Sequence, residues 1–193
     1  MRRVIVSAAL MSFGLAAPAC PCTVVGPTPT PHELVAKAEV IVRARAVRIS
    51  NHPGEAGLLA GAKTQVIFTV VDVLKGRLPD ATIEFNGGLD DTDDPNDMPV
   101  PYTFVRPGGR HGDCFAMSYR AGREYLLLLT RGSHPAYAQP NTLTPYWTPL
   151  MPTNEQVSGP DDPWVGWVKR ALPGSGGSRR RTRWSRQSAP HSD

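Results

Sequence analysis

Two cysteines one residue apart, in Cys20-Pro21-Cys22, and a third at Cys114 carry the most versatile chemistry in this chain. A Cys-x-Cys can staple its part of a chain through a disulfide, present thiolates to a soft metal, or do both. The residues ahead of it set the redox context. Arg2 and Arg3 form a short basic stretch, Val4 to Ala17 is mostly apolar, and Ala17-Pro18-Ala19 has the A-x-A form after which signal peptidase cuts. Residues 1–19 therefore read as a signal peptide. Cleavage between Ala19 and Cys20 makes Cys20 the first mature residue, with a free α-amino group, and the protein secreted or extracytoplasmic. Cys20 is also where a lipid-modified cysteine would stand, so a lipoprotein anchored there is the alternative.

Export implies an oxidising compartment, in which the three cysteines are disulfide material with one thiol left over. A bridge from Cys20 or Cys22 to Cys114 closes a loop of roughly ninety residues, worth ~4–5 kcal/mol in the chain-entropy picture. Cys20, Cys22, His111 and Cys114 also make a Cys3His set, but His111-x-x-Cys114 is a weak zinc spacing and oxidation competes with it. No metal or cofactor of its own is expected. The acidic run Asp90, Asp91, Asp93, Asp94 and Asp97 lacks the glycine and the distal glutamate of an EF-hand loop and reads as a solvated loop. His32-Glu33 does not extend to H-E-x-x-H, because position 36 is alanine. No nucleophile elbow, P-loop or dinucleotide fingerprint appears, and the chain reads as non-enzymatic.

The formal charge of +4 is concentrated at the ends. Arg179, Arg180, Arg181, Arg183 and Arg186 lie in the last fifteen residues, whereas residues 20–177 hold 14 Lys and Arg against 16 Asp and Glu, net −2. The near-neutral central part gives no basic face for nucleic acid. Residues 174–193, rich in Gly, Ser and Arg, read as a disordered basic tail, with weak envelope contact its one expected interaction. The apolar run in the signal is too short to span a membrane, and no later run approaches ~20 residues.

Between these ends, residues 20–173 read as one domain. Thr30-Pro31-His32-Glu33 is a helix start, with a hydroxyl cap, proline in the first turn and an acid behind it. Val40 to Ile49 alternates and reads as a strand whose wet face carries Arg43 and Arg45. Thr64 to Leu74, Ala81 to Phe85, Cys114 to Tyr119 and Glu124 to Thr130 read as strands, and Leu143 to Thr148 as a last one. Gly87 to Gly112 is a long irregular loop, of a length that is either functional or mobile. Pro163 to Leu172 is an amphipathic helix placing Trp164, Trp167 and Val168 on one face, as packing residues. Short strands, a long loop and two small helices predict a mainly β, closed or partly closed barrel.

In this order the motifs resemble the netrin-like module typified by tissue inhibitors of metalloproteinases. The resemblance runs over roughly residues 20–130. It rests on Cys20-Pro21-Cys22, on Ala38-Glu39-Val40-Ile41-Val42-Arg43-Ala44-Arg45-Ala46-Val47, on Val66-Ile67-Phe68-Thr69-Val70 before Val73-Leu74-Lys75-Gly76, and on Cys114-Phe115 ahead of Gly122-Arg123-Glu124-Tyr125-Leu126-Leu127. It implies a five-stranded OB-type Greek-key barrel with one or two short flanking helices. It also implies a Cys20–Cys114 disulfide and a protein partner, a zinc metalloprotease, met by Cys20, Pro21, Cys22 and Thr23. In that family the α-amino nitrogen and carbonyl oxygen of the first cysteine chelate the partner's zinc. The chain departs from the pattern in two places: no cysteine follows Cys114 to pair with Cys22, and Pro21 stands where a small hydroxyl residue is usual. A structural or envelope-associated barrel without inhibitory activity is the reading from another class.

Overall fold

In the computed structural model, residues 27–52, 63–110, 116–131, 143–145 and 150–173 are described. Helix α1 (Pro31–Lys37) starts as its residues require. Thr30 caps it, accepting from the Glu33 N–H while the Glu33 carboxylate accepts from the Thr30 N–H at 2.7 Å. The helix stops after two turns. There the Lys75 ammonium takes over its last carbonyls, donating to those of Val35 and Ala36 at 2.8 and 2.9 Å.

The chain then lays down β1 (Val40–His52) and β2 (Lys63–Lys75) as a long antiparallel pair, from Ile41 opposite Lys75 to His52 opposite Lys63. Irregularities at Ile41/Val42, Arg43/Ala44 and Ala46/Arg48 bend this pair, as curling into a barrel requires. Gly76 ends β2 at φ +78°, where a Cβ would lie 2.3 Å from the carbonyl oxygen of Glu39. Only glycine fits both demands. β3 (Thr82–Asn86) pairs antiparallel with β2, and β4 (Gly88–Asp90) continues it to pair in parallel with β5 (Ser118–Arg120). A tight turn at Gly122 (φ +80°) leads to β6 (Glu124–Arg131), which runs antiparallel beside β1. The result is a mainly β protein, a nearly closed OB-type barrel of five strands with two short helices. β7 (Leu143–Thr144) and β8 (Asn154–Val157) extend the sheet from β6, and α2 (Pro163–Ala171) follows.

The tetraleucine run shows how the core is divided. Leu127 and Leu129 of β6 point into the barrel with Val40, Val42, Ala44, Val66 and Phe68. Leu126 and Leu128 point the other way, against Leu34 and Val35 of α1 and Trp164, Val165 and Val168 of α2. Both faces of β6 are covered, which is why it carries an unbroken apolar run instead of an alternating one. Inside the barrel, Ala44 and Ala46 leave room for packed rings: Phe68 stacks on Phe85 at 4.6 Å and meets Tyr119 edge-on at 4.9 Å.

The strands also depart from expectation. Arg43 is not on a wet face, since it is only 8% exposed and is drawn to Glu124 on the neighbouring strand. Among the described residues the last sheet strand is β8, which carries no apolar alternation (Asn-Glu-Gln-Val) for the sequence pattern to reveal. At 143–148 the described strand is only the two-residue β7, with 146–149 outside the described residues. Among the described residues, no helix is long and apolar enough to cross a membrane.

Candidate functional site

The polar centre of the domain lies where the barrel fails to close. Residues Glu124 to Leu127 of β6 are paired on one edge with β1 and on the other with β8. β5 therefore has no access to β6 and, among the described residues, pairs with β4 alone. Its inward carbonyls need other donors, because a buried unpaired carbonyl costs about as much as a lost hydrogen bond.

Arg106 supplies them. Its side chain is fully buried, and its guanidinium donates to the carbonyl oxygens of Ala116 (2.9 Å), Ser118 (2.8 Å) and Asn154 (3.1 Å) and to the carboxylate of Asp94. The same guanidinium lies 5.2 Å from the Tyr119 ring centre and 5.4 Å from that of Tyr125, within cation–π range. Asn154 on β8 assists, donating to the Ala116 carbonyl at 2.6 Å and to the Tyr119 hydroxyl at 2.8 Å. Burial pushes the Tyr119 hydroxyl up to about 12. The phenol therefore stays neutral and serves as a fixed hydrogen-bonding group. The close approach of β5 to the end of β3 also demands Gly87, where a Cβ would sit 2.6 Å from the Met117 carbonyl.

Beside Arg106 lies Glu155, whose side chain is fully buried. Its two oxygens accept from the Arg106 backbone N–H (3.3 Å) and from the Asn96 amide (2.7 Å). Burial pushes its pKa up to about 7, against the opposing pull of the Arg106 charge and these hydrogen bonds.

The acidic run is built into this centre and is not simply a solvated loop. Asp94 accepts from Arg106 and from the Gly108 N–H, Asp93 from Arg120, Arg123 and Gln156, and Asp97 from Arg110 at 2.5 Å. The Arg123 hydrogen bond leads the contacts that lower the Asp93 pKa. The long segment from Asp91 to Arg110 is thus pinned to β8, with Pro95 bridging directly to Gln156. No sequence motif marks Arg106, Asn154 or Glu155. The one available signal was a run of aspartates, with arginines in and after it, in a loop too long to be idle.

Next to this hub is a recess of about 380 Å³, lined by Asp93, Pro95, Tyr102, Gly122, Arg123, Glu124, Gln156, Val157, Ser158 and Asp162. Its carboxylates are already engaged. Asp93 is held as above, Glu124 accepts from Arg43 and Arg45, and Asp162 caps α2 by accepting from the Trp164 N–H at 2.9 Å. Burial opposes ionisation of Glu124, but the bonds from Arg45 and Arg43 outweigh it and lower its pKa.

The residues singled out from the sequence, Ala19, Cys20, Pro21, Cys22, Thr23, His111 and Cys114, all lie outside the described residues, as does the basic tail from 174 onward. Trp164 packs as expected, buried between Tyr102 (4.9 Å) and Trp167 (5.1 Å), and Trp167 in turn meets His32 of α1 at 4.8 Å. No protein-family model matches the chain, and no curated protein matches it either.

Proposed function

We propose that this chain is an exported, non-enzymatic binding module of the netrin-like, metalloproteinase-inhibitor type. In this reading the mature N-terminal segment Cys20-Pro21-Cys22-Thr23 meets the partner, and the partner is a zinc metalloprotease. A free amine and the adjacent carbonyl form a five-membered chelate, which suits a catalytic zinc with an open coordination position. A disulfide from Cys20 to Cys114 would hold that chelate still and reduce the ordering cost of binding. No metal or cofactor of the chain's own is needed.

The observation that carries the reading is the attachment of the Cys-x-Cys to a barrel through a fixed point. Thr30 caps α1 only ten residues after Cys20, a span of at most about 35 Å. α1 itself is tied to the end of β2 through Lys75. A short lead from a rigid barrel limits the volume the N-terminus explores, which favours binding by that end. The alternative, an envelope-associated barrel lipid-anchored at Cys20, needs the same segment but a blocked amine.

N-terminal sequencing and intact mass of the exported protein separate the two. Inhibition requires Cys20 as the first residue with an unmodified amine, and inhibition of a thermolysin-type zinc endopeptidase that disappears when that amine is carbamylated. An acyl chain on Cys20, or inhibition indifferent to carbamylation, sinks the chelate reading.

A further inference from the structure

We propose that the segment from Asp91 to Arg110 is a proton-linked clasp over the recess: its docking on β8 takes up a proton at Glu155 and weakens as the pH rises. The geometry gives three reasons. Glu155 is fully buried, opposite Leu126 of β6, where water does not reach it. Both groups that hold its carboxylate are neutral amides, the Arg106 backbone N–H and the Asn96 side chain. Both belong to the segment, so lifting the segment removes them and exposes the carboxylate in one movement.

Among the described residues, the charged and titratable groups around Glu155 are few. From the segment come Arg106 and Asp94, with Arg110 one step away through the Asn96 oxygen at 3.3 Å, and the Tyr102 ring. From β5 and β6 come the Tyr119 and Tyr125 hydroxyls, both raised by burial and neutral at physiological pH. The Arg106 guanidinium is turned to Asp94 and to three backbone carbonyls, and gives Glu155 its backbone N–H instead of its charge. Among the described residues, Glu155 is therefore a buried carboxylate without a direct cationic partner, the arrangement that favours the neutral form.

The sign follows from linkage. The docked state holds the Glu155 proton to about pH 7, whereas a solvated glutamate releases it near 4.5. Docking is strongest below the lower value and weakens as pH rises through the higher one, by at most about tenfold per pH unit between them. The segment contributes Asp93, Pro95 and Tyr102 to the wall of the recess, and β8 contributes Gln156 and Val157. Undocking would widen the recess from that side.

Hydrogen exchange of the full chain tests this. Protection factors of the Asp94, Met98 and Arg106 amides, whose N–H groups are bonded to Gln156, Asn96 and Glu155, are compared with those of β1 and β2 at pH 5.5 and pH 7.5. The expected result is at least a tenfold fall in segment protection with rising pH, little change in the strands, and no pH effect in the Glu155→Gln variant. Equal pH dependence in both proteins overturns the proposal. Should the variant not fold, the carbon-13 shift of the Glu155 carboxyl in the wild-type chain decides. A midpoint near neutrality supports the clasp, and one in the ordinary glutamate range overturns it.

Discussion

The Arg106 guanidinium donates to the carbonyl oxygen of Ser118 at 2.8 Å, in the gap where a neighbouring strand would otherwise present an N–H. One side chain thus stands in for part of a missing ladder, and the seam of the barrel depends on it. Arg106→Met keeps the bulk but takes the guanidinium from the Ser118 and Asn154 carbonyls, and leaves the Ala116 carbonyl to the Asn154 amide and the Asp94 carboxylate to the Gly108 N–H. The expected loss is ~3–5 kcal/mol in urea unfolding, the scale for removing one partner of a buried charged network. Arg106→Lys should recover little of it, because a single ammonium cannot reach divergent acceptors as a planar fork does. A loss below ~1 kcal/mol in either variant would show that water serves these carbonyls.

Arg43 and Arg45 both reach Glu124, yet their weights should differ. The Arg43 side chain is 10% exposed and that of Arg45 52%. Arg45→Ala should cost under ~1 kcal/mol and respond to salt, as exposed pairs do. Arg43→Ala removes a packed stem as well as a charge and should cost ~2–3 kcal/mol with little salt dependence. Thermal or urea unfolding at low and high salt distinguishes them, and equal costs would contradict the burial difference.

The acid limb of the stability profile should trace to Glu124 and Asp93. Both have pKa values lowered in the folded chain. Their contribution is present above the unfolded carboxylate range and is lost as pH falls through the lower folded values. The Tm of Glu124→Gln should therefore start below wild type at pH 6 and fall less steeply between pH 5 and pH 3. Parallel curves would mean that other carboxylates govern acid unfolding.

The disulfide implied by the family resemblance makes a separate prediction. Under oxidising conditions Cys114→Ala should lower stability by several kcal/mol, on the ~4–5 kcal/mol scale of a loop of that length. Under reducing conditions wild type and variant should melt together. No difference when oxidised would mean that Cys114 is unbridged.

The amino-acid sequence by itself determined the local elements of this protein. The Thr30-Pro31-His32-Glu33 cap, the β-branched run of β2, the Gly76 stop and the unbroken leucines of β6 report preferences satisfied within a few residues, and each lies where it was expected. Only the tertiary structure decided the seam. β8 has no strand pattern because its residues serve the hub: Asn154 and Glu155 are hydrogen-bonded into it and Gln156 holds the segment above. Arg106 sits among Val, Pro and Gly with nothing nearby in sequence to announce that it will be buried. Arg43 has the same spacing as any solvent-facing arginine on a strand, and its burial came from Glu124, 81 residues away. A buried polar group is held by partners that the fold delivers from distant parts of the chain, so its role cannot be written in its own neighbourhood.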